Sequence, residues 1–300
     1  MTSKPIVIPG SQGILAIKIS RLTGFQPGYA QLEKLPYGEK YVRISSDVEG
    51  RDVIIVNSFA RNPDELLIET IFLTETLKEY GAKSVIGVFP YLPYSRQDQV
   101  FIRGEAFSLK IVAKLLRDSG IDKMYVVDFH QHKLEDLSEF FGVETKNLTA
   151  MHELASYVKQ NFDLNDPIVV GPDEEAAQWA SIVANELNTD YILLRKMRVD
   201  AENVIIDTIP KEVNGRDVVI VDDIIFTGGT VLQAVKALKR AGCGKVYVAC
   251  THAILSDDAL RRILEVGVEN VVGSDTVLSP VSHVSVAPII SKALLNDFGH

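Results

Sequence analysis

Residues Val218–Thr230 read VVIVDDIIFTGGT, and the fold follows from them. Val218–Val221 is a short apolar, β-branched run, the pattern of a strand buried on both faces. Asp222 and Asp223 stand at its carboxyl end, and Thr227-Gly228-Gly229-Thr230 comes next. Beyond it, Val231, Leu232, Ala234, Val235 and Leu238 fall on one face at helical spacing. Lys239 and Arg240 sit where a last turn favours cations, and Gly242 supplies a stop. The order is strand, acidic pair, glycine turn, helix.

This order aims backbone N–H groups and a helix N-terminus at one spot, which suits a phosphate. Two glycines let the backbone come close to an anion, and two threonine hydroxyls add donors. The stretch holds no lysine, so it is not the GxxxxGK(S/T) loop of nucleotide hydrolases, nor is it GxGxxG. The acidic pair conflicts with a phosphate: a carboxylate about 5 Å from a phosphate charge costs roughly 3 kcal/mol at an effective dielectric of about 20. The conflict disappears if the carboxylates face hydroxyls or a metal while the glycine loop faces the phosphate. A sugar phosphate with a vicinal diol offers both. A plain strand–turn–helix corner accounts for the Gly-Gly turn but not for the acidic pair before it.

At 300 residues the chain has room for two domains, each with its own core. The net charge of −9, with no basic cluster, argues against a nucleic-acid partner. Anionic substrates must then be met by local positive groups. Cys243 and Cys250 form no CxxC and no disulfide framework, and read as core thiols of a reducing compartment. The first ten residues lack a charged region followed by a long apolar run, and no run approaches about 18 apolar residues. The expectation is a cytoplasmic chain with no membrane association.

The first half of the chain repeats in the second. Pro5-Ile6-Val7-Ile8 matches Pro167-Ile168-Val169-Val170, and Gly50-Arg51-Asp52-Val53-Ile54-Ile55-Val56 matches Gly215-Arg216-Asp217-Val218-Val219-Ile220-Val221. Gly81-Ala82-Lys83-Ser84-Val85 matches the neighbourhood of Gly242–Val246. The offset is too long for a solenoid and suits two copies of one domain. Apolar strands alternate with amphipathic helices in each copy. The expected fold is therefore α/β, two tandem domains related by duplication, each a mostly parallel sheet flanked by helices. The boundaries expected are 1–146 and 147–285, with 286–300 docking on the first domain as a short helix over Ile289–Leu295. In the first copy Asn57-Ser58 replaces the acidic pair and no Gly-Gly follows. It keeps the fold and has lost the sugar-phosphate site.

Ligands of such sheets lie beyond the carboxyl ends of the strands. Strand Ser84–Phe89 runs into Pro90-Tyr91-Leu92-Pro93-Tyr94-Ser95-Arg96-Gln97-Asp98. Arg96 suits a polyphosphate and Gln97 a base edge, though a solvated polar loop has the same composition. Strand Met124–Val127 ends in Asp128-Phe129-His130-Gln131-His132, where the histidines are metal ligands or merely polar loop residues. Strand Ile168–Val170 ends in Gly171-Pro172-Asp173-Glu174-Glu175, and Asp173 alone is no more than a helix cap. Strand Tyr191–Leu194 ends in Arg195-Lys196-Met197-Arg198, three cations in four residues of an acidic chain. The long segment Val199–Asn214 after it has the length of a lid. Tyr37-Gly38-Glu39 precedes the strand-like run Tyr41–Ile44 and by itself is a turn.

VVIVDDIIFTGGT resembles the phosphoribosyl-binding loop of type I phosphoribosyltransferases and of phosphoribosyl pyrophosphate (PRPP) synthases. FPYLPYSRQD at Phe89–Asp98, DFHQH at Asp128–His132, GPD at Gly171–Asp173 and KMR at Lys196–Arg198 extend the resemblance over the whole chain. Together they resemble the ribose-phosphate pyrophosphokinase family, whose subunit joins two phosphoribosyltransferase-like domains. The resemblance implies that Arg96 and Gln97 bind ATP, with Tyr37, Gly38 and Glu39 reaching in from a neighbouring subunit of at least a homodimer. It implies that His130 and Asp173 hold Mg2+, and that Lys196 and Arg198 are the catalytic pair. It implies that Arg198, Asp222, Asp223, Phe226, Thr227, Gly228, Gly229 and Thr230 bind ribose 5-phosphate. Tyr37 stands where the family usually has aspartate, Leu35 where it usually has an aromatic, and Glu174-Glu175-Ala176 where glycines commonly follow the aspartate.

The implied reaction is pyrophosphoryl transfer from ATP to ribose 5-phosphate, giving PRPP and AMP for nucleotide biosynthesis. A PRPP-consuming phosphoribosyltransferase would need one such domain and leaves the Arg96-Gln97 loop unexplained. A non-catalytic regulatory paralogue is expected to have lost Lys196-Met197-Arg198, which this chain retains.

Overall fold

The computed structural model describes residues 4–130, 136–198, 204–206 and 211–299; for 196–198 and 204–206 only the backbone is described. The chain divides into two units, one made of Met1–Thr149 with Val286–His300 and the other of Ala150–Ser285.

In chain order the first unit carries β1 (Ile6–Pro9), α1 (Gly13–Thr23), β2 (Gln26–Pro27), β3 (Ala30–Lys34), β4 (Lys40–Ile44), β5 (Asp52–Val56), α2 (Pro63–Glu79), β6 (Ser84–Phe89), α3 (Ser108–Asp118), β7 (Lys123–Val127), α4 (Leu137–Phe141) and β8 (Glu144–Leu148). Its main sheet has the order β2-β1-β5-β6-β7-β8 and is parallel throughout. The second unit carries α5 (Met151–Asn161), β9 (Ile168–Gly171), a 3-10 turn over Glu174–Ala176, α6 (Ala177–Leu187), β10 (Tyr191–Leu193), β11 (Lys196–Arg198), β12 (Val204–Ile206), β13 (Val218–Ile225), α7 (Gly229–Arg240), β14 (Val246–Ala253), α8 (Ala259–Glu265), β15 (Asn270–Ser274) and β16 (Ser282–Val284). Its sheet, β10-β9-β13-β14-β15-β16, is also parallel throughout. The two orders coincide when β9 is laid on β1 and β13 on β5. The final helix, α9 (Ala287–Phe298), belongs to the first unit.

The repeated sequence blocks are one structural knot tied twice. Gly50 and Gly81 both have positive φ, and the Gly50 N–H donates to the Gly81 carbonyl at 2.8 Å. Gly215 and Gly242 repeat this at 2.9 Å. Arg51 Nη2 donates to the Lys4 carbonyl, and Arg216 Nη2 to the Pro167 carbonyl at 2.7 Å. Asp52 accepts from Ser84 Oγ at 2.6 Å, and Asp217 accepts from the Lys245 N–H at 2.7 Å. Each Gly-Arg-Asp thus satisfies orphan polar groups where parallel strands begin, far from the ends that hold ligands.

Val53–Val56 of β5 and Val218–Val221 of β13 are wholly buried, as their unbroken apolar pattern requires. Along α7, Val231, Ala234, Val235 and Leu238 are buried and Leu232 packs at the edge of the same core. The hairpin β3–β4 pairs with neither main sheet. Two strands alone are marginal in water. Ala30, Val42 and Ile44 hold it to the core beneath, and Lys40 lies 2.6 Å from Glu69 and 3.0 Å from Glu65 on α2. Helix α9 packs on α1, with Phe298 edge-on to Phe25. Its Asp297 pairs with Lys123 and Lys146 and accepts a hydrogen bond from Tyr125.

Candidate active site

In the second unit, β13 runs four residues past the apolar stretch, so Asp222 and Asp223 lie within the strand instead of beyond it. Consecutive strand residues face opposite sides of a sheet. Asp222 is half-buried, with Oδ1 accepting the Asp223 N–H at 3.0 Å, whereas Asp223 is buried. Cys250 pairs with Asp222 across β13–β14, and its Sγ lies 3.4 Å from the Asp223 carbonyl. Burial, with Asp222 and Asp223 nearby, pushes the Cys250 thiol well up, so it stays protonated and inert. Cys243 is half-buried and also free.

The chain then bends through Phe226 and Thr227, both exposed, into α7. The Phe226 carbonyl accepts from the Ser256 N–H at 2.8 Å, and the Thr227 carbonyl accepts from Arg262 Nη2 at 2.8 Å. Both acceptors are therefore turned towards the segment holding Ser256 and α8. A trans peptide points its N–H opposite to its C=O, so the N–H groups of Thr227 and Gly228 face away from that segment. Gly228, at the helix N-cap, has φ +73°. The Gly229 N–H makes a long 3.4 Å contact to Thr227 Oγ1. The first-turn donors of α7, Thr230 among them, extend the same row. The result is a nest of amides at a helix start, which accepts an anion.

Asp173 follows the adjacent strand β9. It caps the 3-10 turn, accepting the Glu175 N–H at 3.2 Å. Lys196 and Arg198 do not lie in an open loop: β11 pairs antiparallel with β12, matching Lys196 with Ile206 and Arg198 with Val204. Strand β12 lies beside α7. The side chains of Lys196 and Arg198, and residues 199–203 and 207–210 of the expected lid, are outside the described residues. The carboxyl ends of β9, β10 and β13 thus bring Asp173, the Lys196–Arg198 backbone, Asp222 and the Thr227–Thr230 loop to one edge of the unit.

In the first unit, the residues aligned with Asp222 and Asp223 are Asn57 and Ser58. Asn57 is buried; its Oδ1 accepts from the Ser11 N–H at 3.1 Å and from the Ser11 hydroxyl, and its Nδ2 donates to Thr70 Oγ1 at 2.8 Å. The corner is filled by its own hydrogen bonds. Asn62 takes the left-handed N-cap position that Gly228 takes in the other unit, with φ +53°. Arg96 and Gln97, both exposed, stand in a turn closed by the Gln97 N–H on the Tyr94 carbonyl at 2.9 Å. Tyr94 itself has φ +64°, an uncommon conformation for a bulky residue, and its hydroxyl donates to Asp64 at the start of α2. His130 is buried beyond β7, two residues after Asp128, which has φ +40°. His132 lies outside the described residues. The exits of β6 and β7 are stitched by the Val127 N–H on the Pro90 carbonyl at 3.3 Å. Tyr37, Gly38 and Glu39 form the exposed tip of β3–β4, where the Leu35 N–H donates to the Glu39 carbonyl at 2.8 Å.

Arg262 and the Tyr94–Asp64 pair escape a reading by sequence alone. Arg262 has a weak signal, an (i, i+4) partner in Asp258, but nothing in the sequence joins it to Thr227. Carboxylates at strand exits are hard oxygen donors of the kind magnesium takes alongside phosphates and water, and Asp173 fits that chemistry.

A parallel sheet whose central strand delivers an acidic residue and a TGGT turn to a helix start defines the phosphoribosyltransferase type of domain, and this chain has the fold twice with the turn once. The family profile for the N-terminal domain of ribose phosphate pyrophosphokinase matches residues 6–120, and that for the phosphoribosyl transferase domain matches residues 144–284. Ribose-phosphate pyrophosphokinase 1 of Archaeoglobus fulgidus is 48% identical over 289 residues, covering 96% of this chain and 99% of that protein. Ribose-phosphate pyrophosphokinase of Methanopyrus kandleri is 36% identical over 295 residues, covering 98% and 100%. The crystal structure of phosphoribosylpyrophosphate synthetase from Mycobacterium smegmatis is similar with a TM-score of 0.87 at 26% identity, covering 99% of both chains. The chain belongs to the ribose-phosphate pyrophosphokinase family, as its motifs imply.

Proposed function

We propose that the chain transfers the β,γ-pyrophosphoryl group of ATP to the anomeric hydroxyl of ribose 5-phosphate, the reaction of its family, with the work divided between the two units. The observation that carries this division is the contrast at the strand exits: an amide nest beside Asp222 in one unit, a self-satisfied Asn57 corner in the other. The nest of Phe226, Thr227, Gly228, Gly229 and Thr230 takes the 5-phosphate. Asp222 accepts hydrogen bonds from the ribose hydroxyls; Asp223, expected beside it, is buried on the other face of the strand and is not assigned a contact with the sugar. Arg96 and Gln97 take the triphosphate and the base of ATP. The exposed hairpin tip, Tyr37-Gly38-Glu39, completes the ATP site of a second subunit.

In the reaction, the anomeric oxygen forms a bond to the β-phosphorus as the bond from that phosphorus to the α,β-bridging oxygen breaks. AMP leaves with the bridging oxygen, and the proton of the anomeric hydroxyl is released to solvent. Asp173 and His130 are the proposed donors to Mg2+, which when bound neutralises phosphate charge. Lys196 and Arg198 meet the charge that shifts onto the leaving oxygen, and Arg198 also contacts the sugar phosphate. Little covalent work falls to the protein; positioning and fixed charge lower the barrier. No helix among the described residues is long and apolar enough to cross a membrane.

The direct test is AMP release with ATP and Mg2+, measured with and without ribose 5-phosphate. AMP formed only with the sugar, alongside PRPP, is expected; sugar-independent AMP would remove the assignment. Lys196→Ala is expected to lower kcat by at least about 10²-fold, the scale of one lost preorganised donor. Near-normal kcat would take Lys196 out of that role.

A further inference from the structure

The sugar-phosphate loop poses an electrostatic problem. It must hold a dianion beside Asp222 and Asp223, in a chain of net charge −9, and it contains no lysine. Backbone amides offer only partial charges. The sequence gives no cation within the loop to complete the site.

The loop must therefore rely on well-aimed amides, and the structure shows what aims them. Arg262, on α8, lies 35 residues from Thr227 and donates Nη2 to the Thr227 carbonyl at 2.8 Å. Its Nε is 3.1 Å from Asp258 Oδ2 but off the line of a directed hydrogen bond, so Asp258 holds it by charge. The same helix forms the floor under the turn: Ile263 and Ala259 are the atoms that a Cβ on Gly228 would meet. Arg262 therefore does two things at once. It anchors the carbonyl whose orientation turns the Gly228 N–H outward, and it ties the turn to α8, where Asp258 holds the guanidinium in place.

We infer that Arg262 is a positioning residue of the ribose 5-phosphate site, fixing the Thr227–Gly228 peptide so that its N–H faces the phosphate. The inference rests on the reading that the loop holds the 5-phosphate. A planar guanidinium can serve the carbonyl and Asp258 together, whereas lysine keeps the charge without the fork.

The test is steady-state kinetics and calorimetry on the full chain. Arg262→Gln is expected to raise KM for ribose 5-phosphate about tenfold or more, with KM for ATP and kcat at saturating sugar within about twofold, the signature of lost uniform binding. Weaker binding of ribose 5-phosphate by calorimetry should match. Arg262→Lys should fall between the two proteins. A KM for the sugar within about twofold of the unmodified enzyme, or equal rises in both KM values, overturns the inference. The Arg262 side chain is 39% exposed, so its loss spares the core. Should Arg262→Gln still melt below the assay temperature, Arg262→Lys decides alone: a selective rise in KM for the sugar supports the role, and any other result overturns it. Gly228→Val is the control for the underlying reading. If it binds ribose 5-phosphate normally, the loop assignment itself fails; if it does not and Arg262→Gln behaves as the unmodified enzyme, only the role of Arg262 fails.

Discussion

Gly228 and Gly229 look interchangeable as letters, and the structure separates them. Gly228 has φ +73°, and a Cβ there would sit 2.9 Å from Ile263 Cδ1 on a buried side chain. A β-branched residue faces both left-handed strain, on the order of 1–2 kcal/mol, and a clash with α8. A Cβ on Gly229 would meet only Thr227 Oγ1, at 3.7 Å. Gly228 is thus demanded by the fold of the turn, whereas Gly229 has room for a side chain within the protein. Gly228→Val should abolish ribose 5-phosphate binding while ATP binding persists. Calorimetry with each ligand separately checks this, and normal affinity for both would refute the loop assignment.

Among the elements, α9 shows how a helix distant in sequence becomes part of the first unit. Asp297 is the link: burial works against its charge, but hydrogen bonds from Lys123, Lys146 and Tyr125 outweigh that and hold its carboxyl down from 3.8 to about 2. A carboxyl so lowered contributes its full stabilisation above about pH 4 and loses it as pH falls through about 2, amounting to roughly 2 kcal/mol. Asp297→Asn should therefore destabilise the protein at pH 7 by an amount of that order and flatten the pH dependence of stability between about pH 4 and pH 2. Urea melts at several pH values, with hydrogen exchange of α9 amides, measure both. The length of α9 exceeds the expected Ile289–Leu295 at both ends, because Ala287 is also buried against the unit and Phe298 meets Phe25.

For the whole molecule, duplication supplied two identical frames, and one corner of each diverged. Asn57 occupies the place of Asp222, and its hydrogen bonds have a fixed sense. Thr70 Oγ1 gives its proton to the Leu66 carbonyl at 2.8 Å, so it can only accept from the Asn57 amide. Asn57→Asp would set a buried carboxylate oxygen against that acceptor. It should cost about 1–3 kcal/mol at neutral pH, with part of the loss recovered at low pH as the carboxyl protonates. It should create no second sugar-phosphate site. Chemical denaturation and ribose 5-phosphate titration of the variant check the two halves of this prediction.

Repetition of Gly50-Arg51-Asp52 as Gly215-Arg216-Asp217 was enough to show two copies of one domain, because strand starts impose the same local hydrogen bonds wherever they occur. The TGGT turn after a buried strand was legible for a similar reason: positive φ and helix-start amides are properties of a few consecutive residues. The sequence could not place Arg262 under Thr227, part Asp222 from Asp223, pair Lys196 with Ile206, or join Tyr94 to Asp64. Those relations depend on which elements pack together and which face of a strand turns inward, and they exist only once the chain has closed on itself.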